Sequence, residues 1–263
     1  MTVTVITGAG SGMGRACIER LRGTADTLIA VDVAAPSIAG TVGVSCDVTD
    51  RAAVQALASL VEGTGPFRSL VHAAGISPTM GDAARVLDVD LVGTQHLLDV
   101  FEPLVVPGSS AVCFSSSSAY IIAPFMNPDL DALLDDRRAP DFLERAAETV
   151  GGDSGFAYAL AKVGVIRAAG EASVRWGALG GRVNSLAPGL IDTPMGRQEF
   201  EQQPQMQDLL AQTPLQRFGQ PDEIAAVAAF LVSDDASFLT GIDILVDGGQ
   251  SQGTKAANRA LLG

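Results

Sequence analysis

The chain contains 263 residues, of which 47% are hydrophobic and 18% charged, so it has enough apolar side chains for a large core and lacks the composition of a disordered protein. Its formal net charge is −13 at pH 7. This charge argues against nucleic acid and anionic membrane surfaces as partners, because both are negatively charged themselves.

The cysteines and the first residues predict a cytoplasmic protein that is not bound to a membrane. The cysteines are odd in number, widely spaced and without a Cys-x-x-Cys motif, so we expect reduced thiols rather than disulfides or a zinc site at Cys17, Cys46 and Cys113. No apolar run is long enough to span a bilayer. A strand-like segment starts at Thr2, which leaves no room for a signal peptide.

The first predicted elements are a strand, a glycine-rich turn and a helix. Val3–Thr7 is rich in β-branched residues and leads into the turn, after which apolar residues recur at helical spacing. Glycines let the backbone approach a pyrophosphate, and a helix N-terminus offers free N–H groups and a positive dipole end. The segment therefore predicts a dinucleotide-phosphate site that includes Gly8, Ser11, Gly12 and Met13.

An acidic residue, Asp32, closes the second predicted strand at 28–31. A carboxylate there hydrogen-bonds a ribose diol and repels a 2′-phosphate. Residues 33–40 contain no Lys or Arg, and Ser11 puts no cation in the glycine turn. These features favour NAD over NADP. The alternative is that Asp32 is only a turn residue at the end of a strand.

Strands and helices continue to alternate along the chain. Further strands are predicted at 41–45, 69–73, 111–114, 182–186 and 242–246, with helices between them, including one over 82–101. Such alternation indicates a parallel sheet with helices on both faces. With seven strands and no break in composition, we predict an α/β fold: a single Rossmann-type, doubly wound domain over residues 1–263.

Tyr158 and Lys162 are four residues apart in a helix-forming segment, so they share one helix face. A free phenol has a pKa near ~10, and a nearby ammonium lowers it. The pair is therefore a candidate acid/base, although such pairs also arise by chance in helices.

Six motifs in one order give the chain a resemblance to a classical short-chain dehydrogenase/reductase over essentially its whole length. They are Thr7-Gly8-x-x-x-Gly12-x-Gly14, His72-Ala73-Ala74-Gly75, Ser116, Tyr158-x-x-x-Lys162, Pro188-Gly189-x-Ile191-x-Thr193 and Gly241-x-x-Ile244-x-Val246-Asp247-Gly248-Gly249. The resemblance implies a Rossmann fold, a nicotinamide cofactor, hydride transfer between an alcohol and a ketone, and a homo-oligomer, either dimer or tetramer. No metal is expected, because hydride transfer to NAD needs positioning and a proton relay.

The resemblance also implies roles for individual residues. Tyr158 would carry the proton, Lys162 would hold the nicotinamide ribose and lower the pKa of that phenol, and Ser116 would bind the substrate oxygen. Ser116 is chosen from Ser115–Ser118 by family position alone. The remaining cofactor contacts would be Asp47 and Val48 beside the adenine, Gly75 at the ribose, and Ile191 and Thr193 at the nicotinamide amide.

Three departures from the family pattern matter. Asp90 stands where the family has Asn, and it would either pair with Lys162 or be protonated; we expect the proton relay to survive. His72 replaces another Asn and is expected to pack or hydrogen-bond. Finally, 42 residues separate Ser116 from Tyr158, and the insert, at about 121–156, resembles that of the 3α-hydroxysteroid dehydrogenase/carbonyl reductase subgroup.

The insert contains two predicted amphipathic helices, which begin at 127–128 and at 140–141. Their apolar faces need partners, so we expect them to pack over the active-site side or at a subunit contact. The family's Tyr-bearing helix commonly joins a dimeric four-helix interface, which the insert would alter or block.

The polar segment at about 194–220 is predicted to be a mobile substrate lid, with a solvated helix as the alternative. Pocket walls are expected to be apolar, from Ala119, Tyr120, Ile121 and Leu190. They suggest a hydrophobic, steroid-like alcohol or ketone. Two other functions remain open: a 3-oxoacyl-thioester reductase, which generally prefers NADP, and a dinucleotide-binding sensor without turnover.

Overall fold

The computed structural model describes the backbone of residues 2–262 and the side chains of residues 2–259. Seven parallel strands form one sheet in the order β3-β2-β1-β4-β5-β6-β7. The strands are β1 Val3–Thr7, β2 Thr27–Asp32, β3 Val42–Ser45, β4 Phe67–His72, β5 Ser110–Phe114, β6 Arg182–Pro188 and β7 Asp243–Val246.

Helices follow the strands and cover both faces of the sheet. They are α1 Gly12–Arg20, α2 Arg51–Thr64, α3 Ala83–Leu87, α4 Gly93–Phe101, α5 Ser118–Ile122, α6 Pro128–Asp135, α7 Phe142–Thr149, α8 Ser154–Ala178, α9 Pro194–Gln202, α10 Gln205–Gln212, α11 Pro221–Val232 and α12 Gln250–Leu262. Among the described residues, no helix is both long and apolar enough to cross a membrane.

The strand order reverses direction next to β1, which lies between β2 and β4. Thr7, the last residue of β1, pairs with Val31 on one side and with His72 on the other. In an open parallel sheet, such a reversal leaves a crevice at the carboxyl ends of the strands, where ligands bind. The topology therefore opens a cleft beside the glycine turn.

The core has one layer on each face of the sheet. Helices α2, α4 and α8 contribute to one layer, where Phe67, Phe101 and Trp176 pack edge to face, with ring centroids 5.4 and 5.9 Å from Phe67. Helices α1 and α11 cover the other face with small and aliphatic side chains. Each edge-to-face aromatic pair adds about 0.5–1.5 kcal/mol beyond the burial of its area.

The predicted alternation, the seven strands and the doubly wound parallel sheet are confirmed. One element differs. The single helix predicted over 82–101 is divided by a π-helical turn, Asp88–Val92, between α3 and α4. Such turns widen a helix and recur at functional sites, and this one carries Asp90.

The insert forms helices α6 and α7, as predicted. The Asn127 carboxamide caps α6 by accepting hydrogen bonds from two backbone amides, and two glycines with positive φ end the segment after α7, Gly151 at +61° and Gly152 at +75°. The apolar faces of both helices pack with residues of α3 and α8 in one cluster. The insert is thus part of the fold rather than a loose surface decoration.

A buried arginine fixes the insert to the body of the protein. Arg137 is 3% exposed; its Nε donates to Gln95 Oε1 at 2.8 Å, and its guanidinium also pairs with Glu171 of α8. Neighbouring Arg138 bridges Asp99 of α4 and Glu171. The insert therefore covers part of the surface of α4 and α8.

Candidate active site

A cleft of about 290 Å³ lies at the carboxyl ends of the central strands. Most of the predicted site residues line it, although they come from distant parts of the sequence: Gly8, Ser11, Gly12, Met13, Asp32, Asp47, Val48, Gly75, Tyr158, Lys162 and Thr193. The fold thus brings the glycine turn, the acidic strand end and the Tyr–Lys pair together.

The glycine turn leaves backbone exposed to the cleft. Gly8 has φ +66°, and a Cβ there would lie 2.8 Å from the backbone of Ala73; a Cβ on Gly14 would lie 2.2 Å from the Gly8 carbonyl oxygen. Ser11 stands at the N-cap of α1, and its side chain makes no capping hydrogen bond. The N-terminus of α1 is therefore available to an anion such as a pyrophosphate.

Asp32 is held rigidly at the end of β2. Its Oδ2 accepts a hydrogen bond from the Gly10 amide at 2.9 Å, and its Oδ1 accepts one from the Val33 amide at 2.8 Å. The carboxylate is thus oriented at the cleft wall, where the free lone pairs of its oxygens can accept further hydrogen bonds from a ribose diol.

The residues predicted to flank the adenine line the cleft, and a further residue joins them. Asp47 accepts from Thr49 and forms an ion pair with Arg85, with 3.3 Å between Oδ2 and NH2. Val48 is buried against Gly93. No sequence pattern points to Arg85, because its partner Asp47 lies 38 residues earlier in the chain.

The serine run after β5 leaves Ser116 facing the Tyr–Lys pair. Ser115 is buried and donates to the Lys162 carbonyl oxygen at 2.8 Å, and buried Ser117 contacts Gln250 Oε1 at 3.2 Å. Ser116 is partly exposed and interacts with Tyr158. Both neighbours are thus occupied in holding the fold, which supports the choice of Ser116.

The buried Lys162 ammonium lies between a carboxylate and the tyrosine. Its Nζ is 3.4 Å from Asp90 Oδ1, 3.2 Å from the Phe114 carbonyl oxygen and 5.4 Å from the centroid of the Tyr158 ring. Asp90 Oδ1 also accepts from the Ile76 amide at 3.0 Å, whereas Oδ2 has no hydrogen-bond partner among the described residues. The geometry places Asp90 beside Lys162, as pairing requires, while burial raises the pKa of the Asp90 carboxyl above its usual range, as protonation requires.

The expected lowering of the pKa of Tyr158 is wrong for this arrangement. Burial raises the pKa of the phenol well above its ordinary value, the negative charges of Asp90 and Glu199 raise it further, and only the interaction with Ser116 lowers it. The carboxylate of Asp90 offsets the ammonium of Lys162, a partner the family does not have at this position. Tyr158 is therefore held as a neutral phenol, the form that donates a proton.

Replacing Asp90 by Asn is expected to lower the pKa of Tyr158, because it removes a negative charge and leaves that of Lys162 uncompensated. The acidic limb of the pH profile of kcat/KM for alcohol oxidation should move to lower pH by about one unit, with turnover within about tenfold of the parent. A gain of several orders of magnitude would instead show that the native relay is broken.

Thr193 lines the cleft, whereas the Ile191 side chain does not. Thr193 caps α9 by accepting from the Gly196 amide at 2.9 Å, and its methyl group lies beside Gly12 at the cleft. The Ile191 side chain is buried in the core layer under α1 and α11, away from the cleft lining. If Ile191 contacts a cofactor, it therefore does so through its backbone N–H and C=O groups.

His72 is buried between two threonines, as its predicted packing and hydrogen-bonding role requires. Its Nδ1 lies 2.8 Å from Thr7 Oγ1 and its Nε2 lies 2.9 Å from Thr94 Oγ1. Burial lowers the pKa of His72 to about 3, with a smaller contribution from the charge of Lys162. The imidazole ties β1, β4 and α4 together in its neutral form.

The His72→Asn variant should show a different dependence of stability on pH. Below an unfolded pKa of about 6.5, the unfolded state binds a proton that folded His72 rejects, so the parent loses up to about 1.4 kcal/mol of unfolding free energy per pH unit until pH ~3. Urea unfolding between pH 7 and 4 should show a shallower loss in the variant. Parallel curves would contradict this account of His72.

The segment at about 194–220, predicted to be a mobile substrate lid or a solvated helix, contains two helices, α9 and α10. The four residues expected to form an apolar pocket wall are not among the described residues that line the cleft. One of them, Tyr120, donates its hydroxyl to Asp243 Oδ2 at 2.6 Å. Ala119 is buried, and Ile121 and Leu190 are partly exposed. The predicted wall is therefore not part of this cleft.

A sheet of this order, with an exposed glycine turn at its point of reversal and a Tyr–Lys pair in the same cleft, defines a Rossmann-type dinucleotide-binding oxidoreductase. The family model described as enoyl-(acyl carrier protein) reductase matches residues 8–130 and 144–251, and the interruption falls within the insert. The chain belongs to the short-chain dehydrogenase/reductase family.

Individual relatives align with nearly the whole chain. The 3α-hydroxysteroid dehydrogenase/carbonyl reductase of Comamonas testosteroni is 30% identical and covers 95% of this chain and 96% of its own; D-threitol dehydrogenase of Mycolicibacterium smegmatis is 29% identical over 94% and 92%. The crystal structure of 3α-hydroxysteroid dehydrogenase from Pseudomonas sp. B-0831 with NADH has a TM-score of 0.79 and 29% identity, with 99% of both chains covered.

Proposed function

We propose that the protein is an NAD-dependent oxidoreductase that interconverts a secondary alcohol and a ketone, with Tyr158 as the acid/base. The observation that carries this proposal is that Tyr158 and Lys162 line the cleft that Asp32 borders, with Ser116 interacting with the Tyr158 phenol. We include a cytoplasmic location and a homo-oligomeric assembly, dimer or tetramer, in the proposal.

The residues of the cleft fit a nicotinamide dinucleotide. A Cβ on Gly8 or Gly14 would clash with neighbouring backbone, so the tight turn requires glycine. The backbone amides at the N-terminus of α1 are then available to a pyrophosphate. The fixed Asp32 carboxylate suits a ribose diol and repels a 2′-phosphate. NAD would supply the hydride acceptor, and NADH the donor.

The side chains of the cleft would then supply the proton. In reduction, the Tyr158 phenol would give its proton to the carbonyl oxygen and be left as a phenolate, while NADH would supply the hydride to the carbon. Ser116 donates a hydrogen bond to the same oxygen. The Lys162 ammonium lies beside the Tyr158 ring, where its positive charge would stabilise a phenolate, and the Asp90 carboxylate next to it partly offsets that charge. In oxidation the same steps run in reverse.

The substrate class is proposed from the pocket and the relatives. A hydrophobic or steroid-like alcohol is supported by apolar side chains that line the cleft, such as Ile76, Met80 and Met195, and by the likeness to two hydroxysteroid dehydrogenases. A 3-oxoacyl-thioester reductase is the second candidate, favoured by the family description, which names an acyl carrier protein. Absorbance at 340 nm with steroid, small cyclic and thioester substrates, each tested with NAD(H) and NADP(H), separates the two.

Cofactor choice tests the role of Asp32. In Asp32→Ser, the charge that repels a 2′-phosphate is gone, and we expect the ratio of kcat/KM for NAD to that for NADP to fall by about 10–100-fold, since a hydrogen bond to a charged group contributes about 1.5–3 kcal/mol. Glu62→Gln, which removes an exposed charge on α2, is the matched control and should leave the ratio unchanged. An unchanged ratio in Asp32→Ser would contradict the assignment.

A further inference from the structure

A series of buried hydrogen bonds, which we call the His72 network, joins the end of β1 to the π-helical turn. The Ala74 amide donates to Thr7 Oγ1 at 3.2 Å, and Thr7 Oγ1 lies 2.8 Å from His72 Nδ1. His72 Nε2 lies 2.9 Å from Thr94 Oγ1, which donates to the Asp90 carbonyl oxygen at 2.7 Å. Apart from Ala74, every residue of the network is at most 1% exposed, so these bonds are shielded from water.

The direction of each bond follows from the one group that can only accept. A carbonyl oxygen has no proton, so the Thr94 hydroxyl gives its single proton to Asp90 and must accept from His72 Nε2. The neutral imidazole then has no proton on Nδ1, which accepts from the Thr7 hydroxyl. His72 is therefore the tautomer with its proton on Nε2.

The His72 network holds the backbone of Asp90. A threonine hydroxyl bonded to the carbonyl four residues earlier bends a helix, and here that carbonyl belongs to the π-helical turn Asp88–Val92. The Asp90 side chain is held as well, because the Ile76 amide donates to its Oδ1 at 3.0 Å. The end of β4 and the loop after it thus fix both the backbone and the carboxylate of Asp90.

The position of Asp90 matters because its contact with Lys162 is long. Asp90 Oδ1 and Lys162 Nζ are 3.4 Å apart, beyond the usual range of about 2.7–3.2 Å, so a shift of about half an ångström separates the two groups. The other hydrogen bond of the ammonium goes to the Phe114 carbonyl oxygen. Among the described residues, Thr94 forms no hydrogen bond with Lys162 and reaches it through Asp90.

We infer that His72 and Thr94 are positioning residues, which hold Asp90 at the distance from Lys162 that the active site requires. The two departures from the family pattern, His72 and Asp90, are therefore coupled through Thr94. Neither His72 nor Thr94 is a catalytic residue, since each acts through Asp90. The kinetic consequence rests on the proposed function, whereas the coupling is a property of the folded protein.

A double-mutant cycle between Thr94→Val and Lys162→Met tests the coupling without a substrate. Valine keeps the shape of threonine and removes the hydroxyl. The unfolding equilibrium constant is measured by urea denaturation for the parent, both single variants and the double variant. Thr94→Val should change this constant by at least about threefold more in the parent than in Lys162→Met, because only the parent has the pair to lose. Changes that agree within about twofold would overturn the inference.

Thr4→Val is the matched control, because Thr4 is as buried as Thr94, at 1% exposure, and its hydroxyl also makes one buried side-chain bond, to Ser69 Oγ at 2.8 Å. Its effect on unfolding should be the same with and without Lys162. Thr94→Ser, which retains the hydroxyl, should show no coupling either. Coupling of Thr4→Val as large as that of Thr94→Val would show a general loss of stability and would also overturn the inference.

The two histidines give a second test on the unmodified protein. His96 Nδ1 lies 3.1 Å from the Val48 carbonyl oxygen, so His96 must carry a proton on Nδ1, whereas the network requires His72 to carry its proton on Nε2. Long-range proton–nitrogen correlation spectra with isotopically labelled histidine distinguish the two tautomers, and His72→Asn identifies the signals. We expect opposite tautomers. A proton on Nδ1 of His72 would reverse the bonds of the network and overturn the inference.

Kinetics separate this inference from the proposed function. With a substrate of the panel that the parent oxidises, Thr94→Val should lower kcat by about tenfold and change KM less, because the displaced groups act on the chemical step. An unchanged kcat would contradict the need for this position. Coupling in the cycle without turnover of any substrate by the parent would contradict the proposed function alone, and turnover with an additive cycle would contradict the positioning alone.

Discussion

Tyr158→Phe is expected to lower kcat by about 10³-fold while binding of NADH is retained. The substitution removes the hydroxyl that we propose carries the proton, and positioned acid/base groups contribute about 10²–10⁴-fold to rate. The ring, its packing and its approach to Lys162 remain, so the cleft should keep its shape. Steady-state turnover and NADH fluorescence titration measure the two quantities separately.

Tyr120→Phe is the matched control, because it removes the hydroxyl of the protein's other tyrosine. That hydroxyl is bonded to Asp243, so its loss should lower stability by about 1 kcal/mol and leave kcat within about tenfold of the parent. If Tyr158→Phe kept more than about a tenth of the parent turnover, well above the range for a lost acid/base group, Tyr158 would not be the proton carrier.

Gly75→Ala is expected to lower kcat/KM by about 10²-fold, the range that follows from displacing catalytic groups by about 1 Å. A Cβ at Gly75 would lie 2.5 Å from Asp90 Oδ1 and 3.3 Å from Lys162 Nζ, so the buried pair must move apart. Separating a buried ion pair is costly, and the Lys162 ammonium would shift relative to Tyr158. Kinetics and thermal unfolding of the variant should both change.

Gly170→Ala provides the comparison for the Gly75 variant. Gly170 lies on α8, the helix that carries Lys162, and a Cβ there would have no heavy atom within 4 Å. Alanine should raise stability by about 0.4–1 kcal/mol without an effect on kinetics. Parent-like kinetics in Gly75→Ala would show that the Asp90–Lys162 pair does not require the space that Gly75 leaves open.

The fold was predictable from the sequence because its signals are local. Hydrophobic runs of strand length, separated by helical periodicity, are sufficient to predict a parallel sheet with helices on both faces. The helix over 82–101 was only partly predictable, because its apolar pattern does not show where a π-helical turn interrupts it. Here the Thr94 hydroxyl donates to the Asp90 carbonyl oxygen, and the Asp90 carboxylate faces Lys162.

The candidate site, too, was only partly predictable from the sequence. The glycine turn, Asp32 and the Tyr–Lys spacing have sequence signatures, and the fold brings them to one cleft. The effect of Asp90 on the pKa of Tyr158, and the contribution of Glu199, depend on charges from segments far away in the sequence. Spacing along the chain cannot give such charge balances, which is why the expected direction of the pKa of Tyr158 was wrong.

A crystal structure with bound NADH tests the central claim most directly. The account predicts that the dinucleotide lies with its pyrophosphate at the glycine turn, its adenosine ribose on Asp32 and its nicotinamide within reach of the Tyr158 hydroxyl, leaving room for a carbonyl carbon at about 3–3.5 Å from the hydride. A nicotinamide ring bound away from Tyr158, or a nucleotide bound outside this cleft, would contradict it.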